Sequence, residues 1–101
     1  MQAVFEQGRK FVAQDVIVWS LQRPDGDERP RLAVVVGRKL GGAVRRNRLK
    51  RLVREVYRLH KAELRPRLDL VVYPRPGCKW SGYGEAEKAL LGAWQKARLS
   101  V

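Results

Sequence analysis

Between Leu49 and Leu59 the apolar residues recur at helical spacing, and nearly everything between them is cationic. At about 100° per residue, Leu49, Leu52, Val53, Val56, Tyr57 and Leu59 fall on one side of a helix. Asn47, Lys50, Arg51, Arg54 and Arg58 fall on the other. Such a helix can be buried on one side only. The rest of the chain is left to supply the apolar layer on which that side packs, while the other side presents a rigid rack of positive charge suited to a polyanion.

That layer is expected from the strands. Val16 to Leu21 is rich in β-branched and aromatic residues and reads as a strand. A polar turn containing Asp25-Gly26 follows over residues 22–30. Arg31 to Val36 reads as a second strand, and its unbroken Leu32-Ala33-Val34-Val35-Val36 predicts a central position buried on both faces. Leu68 to Tyr73 is a third, stopped by Pro74. The basic helix is expected from about Ala43 to Lys61, with Pro66 ending it, because a proline disfavours helix in the residue before it. Residues 1–8 read as a short helix closed by Gly8, a residue able to take positive φ at a C-terminal cap. A last helix covers about Glu85 to Leu99, and its stripe of Ala86, Ala89, Leu90, Ala93, Trp94 and Ala97 is read as core. The order is helix, two or more strands, helix, strand, helix: a small α/β sandwich with helices over a sheet.

The chain has 101 residues, enough for one domain, 1–101, and its 45% apolar content argues against disorder. Its formal charge is +12. Residues 38–67 hold 12 of the 22 Lys and Arg but only 2 of the 10 acids, so +10 of the +12 lies there. A concentrated patch of this kind is an electrostatic footprint, whereas dispersed charge mainly aids solubility. Cys78 is the only cysteine, so no intrachain disulfide is possible, and a reducing cytoplasm is the expected location. No apolar run is long enough for a membrane span, and the start lacks the pattern of an export signal. Nucleic acid is the partner this balance favours.

The bland alternative for the basic helix is a solvated, salt-bridged face. Such a face alternates signs at i,i+4, yet Glu55 is the only acid between Arg38 and Lys61. The like charges repel until a polyanion neutralises them. The loop Gly37-Arg38-Lys39-Leu40-Gly41-Gly42 leads into the helix N-terminus, but it lacks the Gly-Lys-Ser/Thr ending of a nucleotide loop. Phe5, Phe11 and Trp19 are expected in the core, with a stacking platform for unpaired bases as the alternative. His60 falls on the apolar side of the helix and reads as a packed residue, not a general base. The acids show no paired-carboxylate or metal-ligand spacing, so neither catalytic nor metal-ligating residues are expected. These observations describe a binder.

Arg46-Asn47-Arg48-x-Lys50-Arg51-x-x-Arg54, preceded by Gly41-x-Ala43-Val44, closely resembles the arginine-rich signature of bacterial ribonuclease P protein subunits. Val4-Phe5-x-x-Gly8 with Phe11 is similar to the family's first helix and its exit. Leu32 to Lys39 is similar to its central strand and the loop after it, and Leu70-Val71-Val72 with Pro74-Arg75-Pro76 to its next strand and proline loop. The resemblance implies an α+β fold, ribosomal-protein-S5-domain-2-like, with about four strands in the order α-β-β-β-α-β-α and a left-handed β-α-β crossover. It implies an accessory subunit of an endoribonuclease whose catalyst is the partner RNA. That RNA, with magnesium ions (Mg2+) bound mainly to it, removes the 5′ leader of precursor tRNA. RNA contact is carried over to Arg46, Asn47, Arg48, Lys50, Arg51 and Arg54. Leader binding goes to Phe5, Trp19, Arg38 and Lys39, in a cleft between the first helix and the sheet. No membrane or small-molecule partner is implied.

Two departures from the family pattern stand out. The start is short relative to the family, so that Met1 stands where a second cleft aromatic is usual. Gly37 stands where serine is common, which implies one hydroxyl contact fewer. A general or ribosomal RNA-binding protein explains the charge equally well but predicts no selectivity for precursor over mature tRNA. A DNA-binding helix would need base-reading side chains, and this face offers mainly phosphate contact. A protein-only nuclease lacks the acids.

Overall fold

The computed structural model describes residues 2–101, with side chains from Val4 onward. The expectation for Met1 lies outside the described residues. The elements are α1 (Gln2–Gln7), β1 (Arg9–Val12), β2 (Val16–Gln22), β3 (Arg31–Val34), α2 (Ala43–His60), β4 (Leu68–Pro74) and α3 (Tyr83–Lys96). Short 3-10 turns cover Arg38–Leu40 and Lys61–Glu63. The strands form one sheet in the order β1-β2-β4-β3. β1 and β4 run antiparallel to β2, and β3 runs parallel to β4, which it reaches through α2.

The pleat sends alternate residues to opposite faces. The registers Phe11↔Val18↔Val72 and Leu32↔Leu70 place these residues on the inner face, where α2 and α3 cover them. Leu49, Val53 and Val56 of α2 and Ala86, Leu90, Ala93 and Trp94 of α3 are buried against that face. Each large apolar side chain so buried stabilises the fold by about 1.5–3 kcal/mol before chain entropy is counted. Lys10↔Trp19↔Val71 and Ile17↔Tyr73 lie on the outer face, which α1 crosses over β2 and β4.

Several expectations are corrected. The run after Arg31 is an edge strand ending at Val34, with Val35 exposed; the central strand is β4, buried at every residue but Tyr73. An apolar run looks alike in either place, and strand order decides which it takes. β4 also continues through Pro74, whose missing N–H breaks no needed bond at the strand's last residue. Arg9–Val12 forms an edge strand that its two cations disguised. Phe11 packs against the core as expected, whereas Phe5 is left exposed and Trp19 lies on the outer face of the sheet. Gly8 closes α1 through its N–H to the Val4 carbonyl at 3.0 Å, but not with positive φ. It is glycine for space: a Cβ there would lie 2.4 Å from the Val4 oxygen and 2.5 Å from the Ser20 oxygen. Leu59 is 52% exposed, because the buried stripe centres on Leu49, Val53 and Val56 and Leu59 projects well to one side of it.

Opposite the helices, Asp69 is a buried carboxylate on the outer face. Arg31 binds it in a fork at 2.8 Å through both Nε and Nη2, and Arg23 Nε lies 3.0 Å away as an ion pair whose N–H is not aligned for a hydrogen bond. No helix among the described residues is long and apolar enough to cross a membrane.

Candidate nucleic-acid interface

α2 begins after Gly42 and carries its cations in two groups that differ in what they touch. Arg45 donates to the Trp80 and Cys78 carbonyls at 2.7 and 3.0 Å, and Arg48 donates to the Ser81 carbonyl at 2.5 Å. Arg58 pairs with Glu55, whose carboxyl it holds below its ordinary pKa through a hydrogen bond. These three side chains tie the helix to the segment before α3 or to itself.

Asn47, Arg51 and Arg54 are exposed, and among the described residues their side chains have no hydrogen-bond or ion-pair partner. Lys50 is half-buried and equally unpaired; the Nε of Arg46 is buried with no partner. By the helical angle, Arg46, Lys50 and Arg54 succeed one another every four residues on the flank toward β3. Tyr57 marks that flank, since its hydroxyl donates to the carbonyl of Pro30, just before β3, at 2.7 Å. Asn47 and Arg51 project outward beside them. The structure therefore gathers five of the six expected RNA-contact residues on one surface and turns Arg48 toward α3.

The expected leader cleft lies on the other side of the sheet. α1 buries Val4 there and leaves Phe5 47% exposed. The Phe5 and Trp19 rings meet edge to face at 5.1 Å, and Trp19 meets Tyr73 in the same way at 6.3 Å. Lys10 Nζ lies 5.6 Å from the Trp19 ring centroid, a cation–π contact. Arg38 and Lys39 sit exposed in the 3-10 turn that links β3 to α2. That turn rounds the β3 edge of the sheet and so connects the aromatic face to the cationic helix. Tyr73 and Lys10 were not singled out from sequence. The period-2 alternation of β4 puts Tyr73 opposite Val72, but only the strand order brings it beside Trp19.

His60 is not merely packed. Its Nε2 lies 2.8 Å from Glu87, its Nδ1 is bonded to Glu63, and Tyr83 donates to the same Glu87 oxygen at 2.8 Å. The hydrogen bonds to Glu63 and Glu87 raise the imidazole pKa, and burial first, then Glu87, pushes Tyr83 up to about 12. This cluster staples the end of α2 to α3. Burial likewise raises the Cys78 thiol, so it is a poor nucleophile. Among the described residues no three His, Cys, Asp or Glu side chains gather as a metal site.

Residues 1–98 match the protein-family model Ribonuclease P. The chain is similar to the ribonuclease P protein component of Dictyoglomus thermophilum, 35% identical over 96 residues that span 93% of this chain and 78% of that protein. Its similarity to the counterpart from Alkaliphilus metalliredigens is 35% over 96 residues, 95% of this chain and 85% of that protein. Among solved structures, the RNase P protein of Staphylococcus aureus superposes with a TM-score of 0.88 at 26% identity, covering 99% of this chain and 90% of that one. The RNase P protein from Thermotoga maritima superposes with a TM-score of 0.84 at 29% identity, covering 94% and 88%.

Proposed function

The chain belongs to the ribonuclease P protein family, and on that premise we propose that it is the protein subunit of a tRNA 5′-processing ribonucleoprotein whose catalyst is its partner RNA. The observation that carries this reading is the surface of Arg46, Asn47, Lys50, Arg51 and Arg54, which has no acidic partner among the described residues. Cations left unpaired repel one another, and phosphates at fixed spacing relieve that repulsion while releasing counterions. Arginine suits the task, because its planar fork can engage two phosphate oxygens at once.

The second surface supplies selectivity. A single-stranded 5′ leader laid along Phe5 and Trp19 gains about 1–3 kcal/mol for each base stacked on an aromatic ring. Arg38 and Lys39 hold its phosphates where the strand turns toward α2. Mature tRNA has no leader and forgoes these contacts, so the complex prefers substrate to product. The catalytic magnesium ions we assign to the RNA, where they activate water and stabilise charge on the phosphate. The protein's contribution is to bind, orient and concentrate charge. The reduced, buried Cys78 and the tRNA substrate fit work in the cytoplasm.

The test is reconstitution with a bacterial ribonuclease P RNA at limiting magnesium, with 5′ cleavage of precursor tRNA as readout. Stimulation by the protein is expected, together with tighter binding of precursor than of mature tRNA. Stimulation without that discrimination would favour a general RNA-binding protein, and no stimulation at any protein concentration would refute the proposal.

A further inference from the structure

We propose that Tyr73 is a leader-positioning residue whose hydroxyl donates a hydrogen bond to a leader phosphate, at the point where the aromatic row meets Arg38 and Lys39. The inference rests on the leader-cleft reading above and adds to it a residue, an atom and a ligand group.

Gly37 has a φ of −75° and a ψ of 159°, accessible to any L-residue, so its backbone conformation does not call for glycine. What glycine leaves there is room. A Cβ at residue 37 would lie 3.3 Å from the Tyr73 hydroxyl oxygen, tighter than ordinary contact. The Gly37 main chain and the Tyr73 hydroxyl are thus close neighbours, and a side chain at residue 37 would press on that hydroxyl. Nothing within the fold uses the hydroxyl in return: it has no hydrogen-bond partner among the described residues. The ring alone completes the aromatic row against Trp19, and phenylalanine would pack there equally well. A tyrosine hydroxyl with space kept beside it and no internal partner is a donor available to a ligand.

Its position selects the ligand group. Tyr73 stands at the end of the row Phe5–Trp19–Tyr73, and Gly37 is followed directly by the exposed Arg38 and Lys39. A hydroxyl donor beside two cations is suited to an anionic oxygen. A strand whose bases stack on Phe5 and Trp19 would bring its backbone to that corner.

Tyr73→Phe removes only the hydroxyl, which holds no internal bond, so thermal stability should be unchanged. The experiment compares wild-type and variant holoenzyme for affinity toward precursor tRNA and leaderless tRNA. The variant should lose about threefold to tenfold in affinity for the precursor, as expected for one lost hydrogen bond. Binding of leaderless tRNA should be unchanged. The same loss is expected with an all-deoxy leader, since the phosphate is retained. An unchanged precursor-to-leaderless ratio overturns the proposal. So does a loss confined to the ribose leader, which would assign the contact to a 2′-hydroxyl. A wild-type complex with no preference for the precursor refutes the leader-cleft reading itself, a failure separable from one at Tyr73.

Discussion

Arg51 and Arg54 test the interface most directly, because both are exposed and neither side chain has a hydrogen-bond or ion-pair partner among the described residues. Replacing both with alanine removes two phosphate contacts and no internal bond. Each contact contributes about 0.7 to 0.9 to the slope of log K against log salt, so the slope should flatten by about 1.4–1.8. At about 0.1 M monovalent salt, one decade below the extrapolated 1 M reference, the same term amounts to about 25- to 60-fold in affinity, or about 2–2.5 kcal/mol. Arg45 supplies the contrast. It lies on the same helix with the same charge, but it is held by the Trp80 and Cys78 carbonyls. Arg45→Ala should lower stability by about 1–3 kcal/mol and leave the salt slope where it was. The assay is the affinity for a bacterial ribonuclease P RNA across a potassium chloride series, with circular dichroism to confirm folding. A double variant with the wild-type slope would falsify the interface. So would an Arg45→Ala protein whose slope falls as far as that of the double variant, since charge alone, and not its availability, would then govern binding.

Three further outcomes follow from single contacts. Gly8→Ala places a Cβ 2.4 Å from the Val4 oxygen and should displace α1 from β2, at about 1–3 kcal/mol of stability; precursor affinity should fall while affinity for the partner RNA holds, and an unchanged melting temperature would contradict this. His60 has a raised pKa in the folded chain, so its contribution to stability is complete below the ordinary 6.5 and fades as pH rises through the higher folded value. Glu87, lowered by His60 and then Tyr83, works in the opposite sense and loses its contribution as pH falls toward the acid range. Melting temperature should therefore decline as pH rises above neutral, and His60→Gln should remove that decline; a variant with the wild-type pH profile would reject the staple. Asp69→Asn leaves the shielded Arg23 side chain facing a neutral amide, while the more exposed Arg31 can turn to solvent, and should lower stability by about 1–3 kcal/mol in urea denaturation; a loss near zero would show the triad to be dispensable.

The two interfaces differed in how far the sequence disclosed them. The existence and buried side of α2 were legible because helical period is a local property: Leu49, Val53 and Val56 declare it within two turns. The place of β3 was not, since Leu32 to Val36 reads the same in the middle of a sheet and at its edge, and only pairing with β4 decides. Tyr73 belongs with β3 in this respect. Its role depends on Trp19 across a strand boundary and on Gly37 across the sheet edge, and neither neighbour is close in sequence.

The arginines carry the same lesson into energetics. By charge and spacing, Arg45, Arg48, Arg51 and Arg54 are interchangeable members of one run. In the fold, Arg45 meets carbonyls contributed 33 and 35 residues later, and Arg48 meets one 33 residues later, while Arg51 and Arg54 meet none among the described residues. A cation already bonded to a carbonyl must give up that bond, or share its remaining donors, before it can serve a phosphate, so its net gain on binding is smaller. A count of charges thus overstates the number of contacts the helix can make, and the salt slope should report the unpaired group and not the whole run.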